Sequence, residues 1–129
     1  MEIRKKIEAE KERILKIKSF FEERSFEGSQ FWKWVQEFGE LEQEIKNFIG
    51  NGTKDSLEKL VDEIADELIT RAQTEIKEED FLKKLKLEKW EIVYKDVCSA
   101  LKDRIIKRID FKLNRTEERI KKRFYEQYN

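Results

Sequence analysis

Apolar residues recur along this chain at alternating spacings of three and four, with charged residues between them. That period belongs to an amphipathic α-helix, not to a strand. The first stripe is Ile3, Ile7, Ile14, Ile17 and Phe21, interrupted at Glu10, and it predicts one helix from residue 1 to about 24. A short loop with Gly28 follows over 25–29, where Ser29 can cap the next helix. Phe31, Trp34, Phe38, Leu41, Ile45 and Phe48 then form an unbroken stripe for a helix over about 30–49. Gly50-Asn51-Gly52 is the strongest turn signal in the chain. Beyond it, Thr53 or Asp55 can cap a third helix over about 54–75, and Asp55 with Glu58 would make a capping-box-like pair. Leu57, Leu60, Val61, Ile64, Leu68 and Ala72 are its apolar face. A charged turn and a short helix around Phe81, Leu82 and Leu85 occupy 77–86. The last helix starts near 88, on Trp90, Val93 or Tyr94, Val97, Leu101, Ile105 and Ile109. It either runs straight on or breaks near Asn114 and restarts at Thr116.

The expectation is therefore an all-α bundle of four to five helices, forming one domain over 1–129. Composition agrees, since the chain has no proline and only 4 glycines. Charged residues make up 45%, yet 29 bases balance 29 acids, so no net field draws the chain to nucleic acid or membrane. The balance is uneven: residues 102–129 hold ten bases and five acids, hence +5, which leaves −5 for the remainder. Cys98 is alone, so no intrachain disulfide can form. No apolar run approaches a membrane span and the N-terminus has no signal-peptide core, so a cytoplasmic protein is expected. Two matches to the N-glycosylation pattern, at Asn51 and Asn114, then read as chance. Histidine is absent, which excludes histidine bases, histidine zinc ligands and the Glu-x-x-His di-iron motif.

The candidate chemistry is acidic. Glu37 and Glu40 stand three apart on the second helix, and Glu63 and Asp66 three apart on the third. Residues at that spacing share a helix face, so each pair can grip a cation from one side. The short turn makes the two helices antiparallel and can bring the pairs level around a divalent-metal site. Each pair encloses a small residue, Gly39 or Ala65. A mid-helix glycine costs roughly 1 kcal/mol against alanine. Close helix packing, or a ligand near the carboxylates, is the expected reason for Gly39. Trp34 and Trp90 read as core. Trp32, off the stripe, is expected to pack against the first helix.

At these residues the chain resembles a family. E-F-G-E-L, a spacer and E-I-A-D-E-L, with F-F-E-E-R-S-F upstream, are similar to the all-α nucleoside triphosphate pyrophosphohydrolases. These are the MazG-like enzymes, related to dimeric dUTPases and phosphoribosyl-ATP pyrophosphatases. The resemblance covers roughly residues 18–70. It implies Mg²⁺-dependent cleavage between the α- and β-phosphates, giving a nucleoside monophosphate and pyrophosphate, with Mn²⁺ as a possible substitute. Glu37, Glu40, Glu63 and Asp66 would hold the metal, and Glu40 is assigned the additional role of base. Gln36 stands where the family has a glutamate. The triphosphate needs cations, and the candidates are Lys33, Lys102, Arg104, Lys107 and Arg108; Trp32 is the candidate for the base. In that family a late helix supplies lysine and arginine, often with an asparagine between them, and no asparagine falls among 102–108. The small chain, the long stripes and the oligomeric relatives predict a homodimer.

Two rival readings remain. A helical bundle with a near-heptad first helix suits a non-enzymatic protein–protein interaction module. The basic C-terminal stretch suggests nucleic acid, but interspersed Glu117, Glu118 and Glu126 argue against a phosphate-tracking surface.

Overall fold

The computed structural model describes residues 2–23 and 30–123. Among them are seven helices and no strand: α1 (Ile3–Ala9), α2 (Lys11–Glu23), α3 (Gln30–Asn51), α4 (Lys54–Thr74), α5 (Glu78–Leu87), α6 (Glu91–Ala100) and α7 (Lys102–Lys121). The all-α expectation holds, with more breaks than the sequence suggested. The loop at 25–29, its Ser29 cap and Glu126 lie outside the described residues.

Helix α4 is central, because its buried residues face several other helices. Leu60, Val61, Ile64, Ala65 and Leu68 are all buried. It packs antiparallel on α3, and α1, α2 and α7 also touch it. Phe38, Leu41 and Ile45 of α3, Phe81 and Leu85 of α5, and Ile105 and Ile109 of α7 complete the core. Burying each large side chain is worth about 1.5–3 kcal/mol.

The α3–α4 turn is built as its residues suggest. Gly52 takes φ +58°, the left-handed region open to glycine. Thr53, rather than Asp55, caps α4: its Oγ1 accepts from the Ser56 amide at 3.1 Å. The Asp55–Glu58 capping pair does not form. Asp55 pairs instead with Lys59 at 3.3 Å, and Glu58 with Arg104 at 3.5 Å.

Two helix breaks differ from expectation. The first predicted helix divides at Glu10, whose φ is −97° and ψ 3°. Lys6 and Arg13 hold that carboxylate from either side at 3.1 and 2.8 Å. The same two cations tie this corner to α7, Lys6 to Asp110 at 2.6 Å and Arg13 to Glu117 and Asn114. The late helix breaks at Leu101 (φ −121°), not at Asn114, which lies inside α7. Phe31, placed on the buried stripe, is 51% exposed, and Trp32, expected to pack on the first helix, is 68% exposed. Trp34 is in the core as expected, and Trp90, at the α6 N-terminus, is half-buried against it. No helix among the described residues is long and apolar enough to cross a membrane.

Candidate metal centre

The turn at Gly52 sets the register of the acidic pairs. Glu37 and Asp66 lie equally far from the midpoint between Asn51 and Gly52, and so do Glu40 and Glu63. On antiparallel helices such residues lie level. One oxygen each of Glu37, Glu63 and Asp66 falls within a mutual distance of 4.8 Å. Among the described residues no hydrogen-bond partner reaches Glu37 Oε2 or Glu63 Oε2, although both atoms are buried. Glu40 is exposed and stands at the rim, where its Oε1 accepts from Gln36 Nε2 at 3.2 Å. The structure thus gathers three of the four carboxylates and leaves the fourth beside them.

The cluster is electrostatically unfavourable by itself. Burial, and then the charges of Asp66, Glu40 and Glu63, push Glu37 up to about 8. Burial followed by the Asp66 and Glu40 charges pushes Glu63 up to about 7. Burial also raises Asp66, against the pull of Lys112. Like-charged carboxylates sharing a site resist simultaneous ionisation unless a cation joins them.

Lys112, a residue that sequence reasoning did not single out, faces this cluster. Its Nζ lies 2.8 Å from Asp66 Oδ1 and 2.9 Å from Asp62 Oδ1. Asp62 also accepts from Arg108 Nε at 2.5 Å. Burial works against the Asp62 charge, but the Lys112 and Arg108 hydrogen bonds outweigh it and hold Asp62 below its ordinary value.

The expected phosphate-binding cations are dispersed. Arg104, Lys107 and Arg108 line an open groove of ≈ 940 Å³ between α4 and α7, whose acidic wall includes Asp62 and Glu63. Phe111 lies in its wall, with the Arg108 and Arg115 guanidinium carbons 4.5 and 5.4 Å from its ring centroid. Lys33 instead covers the Phe21 ring at 5.4 Å, and Lys102 is an exposed residue at the start of α7, outside the groove. Trp32 does not line the groove; its ring meets Phe31 edge-on at 6.0 Å. Further polar side chains follow on α7. Lys112, Asn114 and Arg115 supply a lysine, an asparagine and an arginine on α7, although Asn114 here accepts from Arg13.

A second acidic site on α4 also escaped the sequence reading. Glu67 is fully buried. Its carboxylate accepts from Trp34 Nε1 at 2.9 Å and from Arg71 Nε and Nη2 at 3.1 and 2.8 Å. Arg71 Nη2 also reaches the Tyr94 hydroxyl at 3.0 Å, and its guanidinium lies 3.8 Å from the Phe81 ring centroid. Burial opposes the Arg71 charge, but Glu67 more than offsets it, so Arg71 stays well above its ordinary range. Cys98, half-buried near Tyr94, is pushed up to about 11 by burial and makes a poor nucleophile.

The donor set at Glu37, Glu63 and Asp66 is carboxylate oxygen alone. That suits a hard divalent cation such as Mg²⁺ or Mn²⁺. No protein-family model matches the chain, and neither a curated protein nor a solved structure matches it. Its functional reading rests on this geometry and on the motif resemblance.

Proposed function

We propose that this chain is a divalent-metal-dependent nucleoside triphosphate pyrophosphohydrolase of the MazG-like kind, cutting between the α- and β-phosphates. The observation that carries the reading is the meeting of Glu37, Glu63 and Asp66 within 4.8 Å, from two antiparallel helices, beside a groove whose α7 wall carries Arg104, Lys107 and Arg108. Glu37, Glu63 and Asp66 are the residues that would hold Mg²⁺ or Mn²⁺. A divalent ion held there would supply Lewis-acid chemistry to the phosphoryl oxygens and to the attacking water.

The other roles fall to the chain's own side chains. Glu40, outside the cluster and held by Gln36, is free to accept the water's proton. Gln36 orients that base as a neutral donor, where a second glutamate would repel it. Lys112 and Arg108 offer charge to the phosphates as it builds on the leaving pyrophosphate. A homodimer acting in the cytoplasm is part of the same proposal. It is supported by exposed Phe31, Trp32 and Ile49 on α3, at 51, 68 and 52%.

The test is pyrophosphate release from a panel of canonical and damaged triphosphates, with and without Mg²⁺. Metal-dependent release from at least one, lost in Glu40→Gln, is the expected result. The same exposed α3 side chains favour the alternative of an interaction module. Failure to bind any divalent metal would decide for it.

A further inference from the structure

We propose that Lys112 is a built-in counter-ion of the candidate metal centre, competing with a divalent cation for Asp66. This rests on the metal-centre reading above. Its Nζ lies between Asp66 at 2.8 Å and Asp62 at 2.9 Å, and the side chain is only 6% exposed. The stem continues the apolar face of α7 formed by Ile105 and Ile109, so the ammonium is delivered by a packed helix rather than by a mobile arm.

An ammonium this buried is poorly solvated and depends on its anions. Asp66 is also one of the three clustered carboxylates. A divalent ion there and Lys112 must share one anion while repelling each other. Asp62 is the second hold. It lies one turn before Asp66 on α4, is already bonded to Arg108, and keeps the ammonium in place when Asp66 is drawn to metal. Free metal should therefore bind weakly. A triphosphate supplies the anion that Lys112 gives up, so metal and nucleotide reinforce each other's binding.

The test is calorimetric titration of Mn²⁺ into the full chain without nucleotide, for wild type, Lys112→Met and Asp62→Asn. Lys112→Met should bind Mn²⁺ about tenfold tighter or more, because the competing charge is gone. Asp62→Asn should bind it more weakly than wild type, because the ammonium then rests wholly on Asp66. A merely structural lysine would lower affinity in both variants, so the opposed signs identify the counter-ion. Where Lys112→Met fails to fold by circular dichroism, Lys112→Gln takes its place. Lys112→Met or Lys112→Gln binding no tighter than wild type overturns the inference. Absence of Mn²⁺ binding in every variant removes the metal centre, and this inference with it. Mn²⁺ binding with the expected signs, but no pyrophosphate from any triphosphate, leaves the counter-ion in place and overturns only the hydrolase.

Discussion

Helix α4 carries two acidic sites one turn apart that differ in how their charge is answered. Glu67 is surrounded: Trp34, Arg71 and, through Arg71, Tyr94 and Phe81 complete a closed network in the core. Glu63 and Asp66 face Glu37, with two buried oxygens that no partner reaches among the described residues and one lysine at the edge. A buried charge whose hydrogen bonds are all made is structural. A group of like charges held together without enough cations stores repulsion, and a ligand relieves it. On one helix, proximity in sequence therefore says little about role.

The comparison breaks most visibly at Arg71. Arg71→Met strands the Glu67 carboxylate and should lower stability by about 3–5 kcal/mol in urea denaturation. Combining it with Glu67→Leu should recover most of that loss, because both charges leave together. On the other site the sign reverses. Glu37→Gln and Glu63→Gln should leave the metal-free protein as stable as wild type or more so. Both should cut pyrophosphate release by about a hundredfold or more. A loss of stability comparable to that of Arg71→Met would make the two sites alike and undo the distinction.

Acidity sharpens the contrast further. Glu37 and Glu63 are raised to about 8 and about 7 in the fold, above ordinary values for an unfolded chain. The folded state then holds extra protons between about pH 4.5 and 8. Stability is highest at the low end of that window and falls as pH rises through it. Thermal melts of metal-free protein should show the melting temperature dropping from pH 5 to pH 8. Glu37→Gln should flatten the slope. A melting temperature that climbs with pH would contradict the assignment.

The smallest effect concerns Gly39. Close helix packing was one expected reason for it, yet a Cβ built there meets nothing within 4 Å. Gly39→Ala should therefore add about 1 kcal/mol of stability. Reduced activity or altered assembly in that variant would show that substrate or a second copy comes close beside the carboxylates.

Most helices were legible because their apolar residues keep one period. The α3–α4 turn was legible because Gly50, Asn51 and Gly52 have no better use. The breaks at Glu10 and Leu101 carried no glycine or proline, and at the first of them ion pairs from Lys6 to Asp110 and from Arg13 to Glu117 tie the corner to α7. The acidic register was readable from spacing alone, whereas the cations were not. Arg104, Lys107 and Arg108 were chosen for their place on a late helix, and spacing did not show that Arg104 and Arg108 pair with Glu58 and Asp62. Lys112 and Arg71 had a quieter signal: each falls on its helix's apolar stripe, one turn after Ile109 and Glu67 respectively. A charged residue in a stripe position must bring a partner into the core, and sequence does not name that partner.

The most direct measurement is the melting temperature at pH 7.5 with and without millimolar Mn²⁺, for wild type and Glu63→Gln. The account predicts that Mn²⁺ raises it in wild type, where the cluster's repulsion is neutralised, and leaves Glu63→Gln nearly unmoved. An identical response in both proteins, or none in wild type, would contradict it.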